Sequence, residues 1–437
     1  MSNTVTLKKF ILFLGDVFFL YISLFLTLFL RFLSEFNLEI FLLHLLPFSI
    51  LYFFWIIIFY VAGLYDLHLI KTKLSFYTRV LGAIIAGLIL GMLFFYSLPF
   101  FGISPKTNLI LNVLIFGFLF LGWRQFFYSL FSVHFANRVA IAGEGVEIEN
   151  LKQEINQRPY LGYKLIPIDL EKDILSQIQE RSIDTVIFTE NFESDPKMLK
   201  ALYFFLPTKV NFLDFTKAYE LVIQKVPLSM VSQTWFLENL KEGEKGFFDK
   251  VKSFFDIIVS GLILVLSLPL WVLIAIFIKL DDQGPVFYSQ QRIGKDRQSF
   301  KLYKFRSMMV GAEKGQAVWA KREDKRITRV GKFIRRFHFD ELPQMINVLK
   351  GDISLIGPRP ERPEFVEKLE KEIPHYHLRH IIKPGFSGWA QIKFRYGRSV
   401  MDSKEKFEYD LYYLKNRTLL LDIGILLRTF QLFFRQD

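Results

Sequence analysis

Residues 254–280 read FFDIIVSGLILVLSLPLWVLIAIFIKL, and this apolar run decides how the rest of the chain is arranged. A helix needs about 20 apolar residues to cross roughly 30 Å of hydrocarbon, so the run is long enough to span a membrane. Pro269 lies in its middle, where a proline removes an intrahelical hydrogen bond and kinks the helix. Basic residues flank the run on both sides: Lys245, Lys250 and Lys252 before it, Lys279 and Arg292 after it.

These basic flanks bear on how the run enters the membrane, because positively charged flanks tend to stay in the cytoplasm. A helix that crossed the membrane would carry one of its two basic flanks to the outside. A bent helix that enters one leaflet and returns keeps both flanks in the cytoplasm. We therefore predict a re-entrant helix over residues 254–280 with its break at Pro269, and plain spanning remains the alternative.

Four further apolar stretches precede this run and are predicted to be transmembrane helices. Hydrophobic residues make up 51% of the 437 residues, which is too apolar for an ordinary soluble enzyme. The first stretch is too long for a cleaved signal peptide, and no small-residue cleavage site follows it. The predicted spans are Phe10–Leu30, Ile40–Leu64, Val80–Leu98 and Leu109–Phe127, and their interior charges are Asp16 and Arg124.

Basic residues in the short loops orient the predicted spans. One set of loops and flanks contains Lys8, Lys9, Lys71, Lys73, Arg79 and Arg138, and the opposite set contains only Arg31 and Lys106. The N-terminus and the segment after the fourth span are therefore predicted to be cytoplasmic. The absence of cysteine fits this reducing compartment.

A soluble segment after the fourth span alternates predicted strands with helices, which favours a parallel α/β sheet. Gly143-Glu144-Gly145 reads as the turn after the first strand, but the dinucleotide-binding fingerprint requires a third glycine where Ile148 stands. We expect a degenerate Rossmann-like domain with a structural or regulatory role and without NAD(P). Its predicted strands are Val139–Ala142, Asp184–Phe188 and Lys209–Leu213, and Ile174–Glu180 is a predicted helix.

The positive charge is concentrated in the C-terminal part of the chain. Residues 241–437 contain 36 Lys and Arg against 24 Asp and Glu, which accounts for the whole net charge of +12. A cationic module beside a membrane indicates anionic lipid headgroups or phosphorylated substrates as partners. Nucleic acid is not predicted, because no nucleic-acid module is recognisable. Within this part, Glu405–Phe434 reads as one or two interfacial amphipathic helices, with a core helix as the alternative.

The run Asp340-Glu341-Leu342-Pro343-Gln344 places two carboxylates side by side in this basic region. Mg²⁺ prefers oxygen ligands and commonly bridges one or two carboxylates to substrate phosphates. Arg335, Arg336 and Arg359 offer planar guanidinium groups that match phosphate oxygens. The pattern predicts a site for a metal ion and a phosphate, and a solvated acidic turn at a helix start is the alternative.

Six motifs in order make about residues 247–432 resemble the bacterial sugar transferase family, the polyprenyl-phosphate sugar-1-phosphate transferases. The N-terminal half resembles the large form of this family, and Arg359–Phe365 is similar to an exopolysaccharide or exosortase-associated subgroup. His338 departs from the pattern, since many members have Ser there. The motifs are Gly284–Gly294, Tyr303–Met308, Asp340–Gln344, Lys350–Leu355, Gly357–Pro360 and Lys383–Gln391.

The resemblance implies an architecture and an activity. Residues 1–135 would form four transmembrane helices, 136–245 a Rossmann-like domain, and 246–437 a mostly α-helical monotopic catalytic domain. The activity would be transfer of a hexose 1-phosphate from a UDP-sugar to undecaprenyl (polyprenyl) phosphate with release of UMP. This reaction would start exopolysaccharide, O-antigen or capsule assembly at the cytoplasmic face of the bacterial inner membrane. The identity of the sugar and the formation of a homodimer stay open.

The resemblance also implies roles for five residues. Asp340 would attack the phosphorus next to the sugar and carry the phosphosugar covalently, which divides one difficult step into two. Glu341 would orient the metal or assist proton movement, and both carboxylates would hold Mg²⁺ or Mn²⁺. Arg335 and Arg359 would neutralise phosphoryl charge, and Lys304 would bind the nucleotide phosphates.

Two other classes of protein remain open at this level. A membrane-bound nucleotide-sugar dehydratase would need a Tyr-x-x-x-Lys pair, and Tyr160 with Lys164 has that spacing but follows the glycine turn too closely. A non-enzymatic scaffold for glycan assembly is the second alternative. In a transferase, sugar specificity is expected in the loops around Val310–Arg326 and Phe394–Met401.

Overall fold

A computed structural model describes residues 2–65, 73–97, 106–130, 137–158, 161–169, 174–189, 203, 210–312, 324, 326–394 and 399–434. The chain forms two compact units, Met1–Ile223 and Gln224–Asp437.

The first unit opens with four long helices: α1 (Ser2–Phe32), α2 (Leu38–Val61), α3 (Lys73–Ser97) and α4 (Lys106–Ser129). All four are long and apolar enough to cross a membrane. Each helix largely coincides with one of the predicted spans, although Leu98, the last residue of the third predicted span, lies outside the described residues. Large apolar side chains face outward, and Phe118 is 81% exposed. Such helices indicate a membrane protein.

The two charged residues inside the predicted spans pair with each other. Arg124 Nη2 lies 2.5 Å from Asp16 Oδ2, and both side chains are buried. Arg124 Nη1 also donates to the carbonyl oxygen of Leu64 at 2.9 Å. Because an unpaired charge is strongly unfavourable in an apolar environment, the pair explains how α1 and α4 tolerate these residues.

The rest of the first unit contains a four-stranded sheet in the order β2-β1-β3-β4, with every neighbouring pair parallel. This confirms the predicted α/β alternation. Gly143 and Gly145 follow β1 with φ of 145° and 139°, which side chains disfavour. Lys164 lies on β2, whereas Tyr160 and Lys209 lie outside the described residues. The elements are β1 (Asn137–Ala142), α5 (Val146–Gln157), β2 (Tyr163–Leu165), α6 (Ile174–Glu180), β3 (Thr185–Phe188), β4 (Asn211–Asp214) and α7 (Phe215–Ile223).

Residues 224–245 pack within the second unit, whereas the sequence analysis places them in the Rossmann-like domain. The backbone N–H of Val226 donates to the carbonyl oxygen of Glu408, and Lys225 Nζ lies 3.1 Å from carboxylate oxygens of both Glu405 and Glu408. Val226, Leu228 and Phe236 share a core cluster with Phe407 and Leu411. These partners lie far along the chain, so local sequence pattern does not reveal the boundary.

The second unit is mostly helical around two small strand pairs. Strands β5 (Phe287–Ile293) and β6 (Ser299–Phe305) form an antiparallel hairpin, and β7 (Ser354–Ile356) pairs in parallel with β8 (Gly385–Ser387). The helices are α8 (Gln233–Asn239), α9 (Gly246–Asp282), α10 (Arg329–Arg336), α11 (Gln344–Lys350), α12 (Pro363–Glu372), α13 (Trp389–Lys393), α14 (Val400–Asn416) and α15 (Leu419–Phe434).

Helix α9 contains the apolar run and continues through Pro269 without ending there. A proline removes one hydrogen bond but does not have to terminate a long helix. Its apolar side chains are largely exposed, with Leu266 at 72%, and the helix is long and apolar enough to cross a membrane.

Both ends of α9 are fastened to the second unit by charged side chains. Near the first end, Lys252 Nζ lies 2.6 Å from Asp422 Oδ2, and Asp256 Oδ2 accepts a hydrogen bond from Ser354 Oγ at 2.6 Å. At the other end, Arg306, which directly follows β6, pairs with Asp282. One compact unit therefore holds the two ends of its longest apolar helix.

The C-terminal segment forms two helices, which differ in burial. In α14, Phe407, Tyr413 and Leu414 are buried in the core, so this helix fits the core-helix alternative rather than an interfacial position. In α15, Ile425 is buried while Leu420 is 81% exposed, so an apolar side chain on this helix faces outward.

Candidate active site

The two adjacent carboxylates lie on a tight turn between α10 and α11. His338 adopts a left-handed conformation with φ of 54°, and a short 3₁₀ turn over Phe339–Glu341 follows it. This turn directs the side chains inward, so Asp340 is 8% and Glu341 7% exposed. The predicted pair is therefore buried, which excludes the alternative of a solvated acidic turn.

The position of this turn depends on how α10 begins. Thr328 Oγ1 accepts a hydrogen bond from the N–H of Gly331 at 2.9 Å, which caps the helix. Asp281 at the end of α9 accepts the N–H of Val330 at 3.0 Å. Because the first turn of α10 is fixed to α9, the carboxylate turn that follows α10 is held relative to the long apolar helix.

Glu341 is held by two cations. Lys304 Nζ and Arg359 Nη2 each donate to Glu341 Oε1 at 2.7 Å. Burial by itself raises the pKa of Glu341, but Arg359 and Lys304 outweigh burial and hold the pKa well below its usual value. Glu341 is therefore ionised at neutral pH, and the structure brings together three of the five predicted site residues.

Asp340 has a different electrostatic environment. Burial raises its pKa above the usual value, the charge of Glu341 adds to this effect, and Lys304 and Arg335 oppose it. Arg335, half-buried at the end of α10, thus stabilises the charged form of Asp340. Adjacent carboxylates with opposite pKa shifts are typical of functional sites.

Arg359 reaches Glu341 from the loop that follows β7, residues 357–361. Pro358 and Pro360 have no N–H, so the hydrogen bonds of this loop depend largely on its carbonyl oxygens. Four successive carbonyls, from 358 to 361, accept hydrogen bonds of 2.8 to 3.0 Å. The donors are Gly385 N, Arg379 Nη2, Arg292 Nη1 and Ile293 N, in chain order of the carbonyls.

Glycines allow β8 to approach this loop closely. A Cβ added to Gly385 would lie 2.1 Å from the nitrogen of Gly357, and one added to Gly388 would lie 2.2 Å from its oxygen. Side chains do not fit at either position. Gly385 and Gly388 thus allow their backbone to pack directly against Gly357 in the loop that carries Arg359.

Asn347 on α11 holds β6 in place, and the sequence analysis does not identify it. Its fully buried side chain accepts the N–H of Tyr303 at 3.0 Å and donates to Lys301 O at 2.7 Å and to Asp352 Oδ2 at 2.9 Å. Lys304 follows on the same strand, so Asn347 fixes the distance between Lys304 and the carboxylate turn.

The donor set suits Mg²⁺ bound together with a substrate. Within the described ranges, no group of three or more His, Asp or Glu is placed to hold a metal. Two adjacent carboxylates, with substrate phosphates and water as the other ligands, are a common Mg²⁺ arrangement. Lys304 and Arg359 both contact Oε1 of Glu341. In such an arrangement Asp340 and Glu341 would be the carboxylate ligands of the ion.

The long apolar helices and this site define a membrane protein with a buried pair of carboxylates among cations. Comparison with known sequences identifies the family. The model of the bacterial sugar transferase family matches residues 247–436. A Bacillus subtilis protein provisionally named an undecaprenyl-phosphate N-acetylgalactosaminyl 1-phosphate transferase is 52% identical over 129 residues, which are 30% of this chain and 72% of that protein. The chain belongs to the bacterial sugar transferase family.

Two other relatives show how much of the chain such similarity covers. The UDP-N-acetylgalactosamine-undecaprenyl-phosphate N-acetylgalactosaminephosphotransferase of Aeromonas hydrophila is 48% identical over 179 residues, 41% of this chain and 42% of that protein. The UDP-glucose:undecaprenyl-phosphate glucose-1-phosphate transferase of Klebsiella pneumoniae is 31% identical over 309 residues, 67% of this chain and 66% of that protein. The match to the Aeromonas protein thus spans less than half of it.

Proposed function

We propose that the chain transfers a hexose 1-phosphate from a UDP-sugar to undecaprenyl phosphate, giving undecaprenyl-diphosphate sugar and UMP. The observation that carries this proposal is the buried Asp340–Glu341 pair with Lys304 and Arg359 at bonding distance. The reaction would start exopolysaccharide, O-antigen or capsule assembly. The names of the relatives, which pair UDP-sugars with undecaprenyl phosphate, support it.

In the proposed mechanism Asp340 is the nucleophile. Its carboxylate attacks the phosphorus next to the sugar, the bond from that phosphorus to the bridging oxygen breaks, and UMP leaves with the electron pair. The phosphosugar then stays on the Asp340 carboxylate. An oxygen of undecaprenyl phosphate attacks the same phosphorus and displaces the carboxylate, which completes the diphosphate and restores Asp340.

The surrounding residues neutralise charge during both steps. Arg359, held by Glu341 but 42% exposed along its side chain, has donors left for a phosphate oxygen. Arg335 lies on the side of Asp340, and Lys304 would contact the nucleotide phosphates. Mg²⁺ or Mn²⁺, held by Asp340 and Glu341, would supply further charge neutralisation when bound.

We further propose that the protein lies in the bacterial inner membrane with its catalytic unit on the cytoplasmic face. Helices α1–α4 would form a four-helix transmembrane bundle, and the parallel sheet a Rossmann-like domain with a structural or regulatory role. Helix α9 would enter one leaflet and return. The fastening of both its ends to one unit supports re-entry, because a spanning helix would carry its ends to opposite sides.

Single cysteines at Lys250 and Lys279 test this topology, since the chain has none of its own. Both positions are exposed and flank the membrane part of α9. Both are expected to react only with thiol reagents applied from the cytoplasmic side. Labelling of the two positions from opposite sides would contradict re-entry. Pro269→Ala should straighten the helix and shift part of the population towards spanning.

UMP release tests the proposed reaction and identifies the sugar. Purified protein with Mg²⁺ and undecaprenyl phosphate should release UMP from one or a few members of a panel that includes UDP-N-acetylgalactosamine, UDP-glucose and UDP-galactose. Two of these sugars follow from the names of the relatives described above, which contain N-acetylgalactosamine and glucose, and galactose is the 4-epimer of glucose. A dehydratase would alter the sugar without forming UMP, and a scaffold would leave every substrate unchanged. Either result would refute the proposal.

A further inference from the structure

The loop that carries Arg359 depends on side chains outside it for its shape. Two of the four donors to its carbonyls are arginine side chains, Arg379 at the Arg359 carbonyl and Arg292 at the Pro360 carbonyl. Arg379 acts on the residue whose guanidinium reaches Glu341. The backbone position of Arg359, and with it the reach of its guanidinium, thus depends on a second arginine, which lies 20 positions further along the chain.

Arg379 is built into the interior. Its side chain is 5% exposed, and its partner Asp410 on α14 is 2% exposed. Nη2 donates to Asp410 Oδ2 at 2.9 Å and to the Arg359 carbonyl at 3.0 Å, and Nη1 donates to the hydroxyl of Tyr376. A buried guanidinium with these partners in fixed directions has little freedom to move.

We propose that Arg379, held by Asp410, is a positioning residue that sets the backbone of Arg359 so that the Arg359 guanidinium contacts Glu341 and a substrate phosphate together. This inference rests on the proposed function for its kinetic consequence. Arg379 touches neither Glu341 nor the reacting atoms and acts through the Arg359 backbone. Small displacements of a group that stabilises a transition state lower the reaction rate strongly. A shift of about 1 Å can lower the rate about 100-fold.

Arg379→Lys is the test variant. Lysine keeps the positive charge opposite Asp410 but replaces the planar fork by a single ammonium, which does not reach Tyr376, Asp410 and the Arg359 carbonyl together. We expect kcat to fall about 10- to 100-fold. In an Arg359→Ala background the same substitution should cause no further fall, because the residue through which it acts is already absent.

Arg417→Lys is the matched control. Arg417 is a buried arginine of the same unit, 3% exposed along its side chain, and it pairs with Glu242 and Asp249 rather than with residues 357–361. The Arg417→Lys variant should lower the unfolding midpoint as Arg379→Lys does, while its kcat stays near the wild-type value. Multiplicative losses in the double variant, or a wild-type kcat in Arg379→Lys, would overturn the proposal.

Hydrogen exchange gives a readout that does not need turnover. Amide exchange across residues 357–365 should rise in Arg379→Lys and stay unchanged in Arg417→Lys. Unchanged exchange in Arg379→Lys would overturn the positioning role even if the wild type were inactive. Absence of UMP release by the wild type would instead refute the proposed function, so the two failures are distinguishable.

Discussion

Turnover is expected to fall about 10³-fold or more when Asp340 is replaced by Asn, the loss typical of removing a covalent catalyst. The amide keeps the shape of the side chain but loses the charge and most of the nucleophilicity. Glu341→Gln should also be severely impaired, because Lys304 and Arg359 would lose the carboxylate that holds both of them. Initial rates of UMP release measure both effects.

The fold should tolerate Asp340→Asn. Burial and the charge of Glu341 raise the folded-state pKa of Asp340 above its value in the unfolded chain. An acid whose pKa is higher in the folded than in the unfolded chain destabilises the folded state at pH values above its unfolded pKa, because it ionises more readily in the unfolded chain. Removing its charge should therefore leave the unfolding midpoint unchanged or slightly higher at neutral pH. A large destabilisation would mean that lost activity does not report on the nucleophile.

Mass spectrometry separates the covalent route from direct displacement. Wild-type protein incubated with UDP-sugar and Mg²⁺ but without lipid should gain the mass of a phosphosugar on the peptide that contains Asp340. Asp340→Asn should gain none. If the variant released UMP near the wild-type rate, Asp340 would not be the nucleophile. Turnover that required both substrates together, without an adduct, would keep the site and replace the covalent route.

Lys252→Met is expected to produce the largest loss of stability, about 3–5 kcal/mol of the free energy of unfolding. Lys252 is 8% exposed and faces two buried carboxylates, Asp422 at 2.6 Å and Asp256 at 4.0 Å. Without the ammonium, the two buried carboxylates would lose this cation and keep hydrogen bonds from the hydroxyls of Tyr413 and Ser354 and the N–H of Leu355. Denaturant unfolding of the purified protein in detergent measures the difference.

Lys250→Met is the control for this prediction, because Lys250 is an exposed lysine two positions earlier on the same helix. It should unfold like the wild type. Asp422→Asn should be milder than Lys252→Met, since it leaves Lys252 with Asp256 as a balanced pair. Equal unfolding midpoints for Lys252→Met and Lys250→Met would show that the buried charges do not stabilise the second unit.

The elements that the sequence predicted well are those defined by local pattern. Continuous apolar runs gave α1–α4 and α9, because the length of an apolar helix is visible without any knowledge of its contacts. The alternation of short apolar strands with helices gave the parallel sheet. The Asp340–Glu341 pair, Lys304 and Arg359 were identified as candidates from charge and from motif resemblance, and the structure places three of these side chains in direct contact.

The residues that the sequence analysis missed act over long separations. Arg379 and Asn347 bond to groups 20 and 44 or more positions away, and no local sequence pattern marks either residue. Residues 224–245, which the sequence places in the Rossmann-like domain, likewise pack in the second unit through partners far along the chain. The burial of α14 fits the core-helix alternative, because an alternation of aromatic and charged residues is compatible with a core helix as well as with a membrane surface.

Asp256 on α9 holds Ser354, the first residue of the strand that leads into residues 357–361. The long apolar helix and the loop that carries Arg359 are therefore joined by one short hydrogen bond and two residues of strand. If α9 lies in the membrane as proposed, a bilayer of altered thickness that tilts or lifts the helix would pull on this connection. The rate of the proposed transfer would then depend on the acyl-chain length of the lipids as well as on substrate concentration.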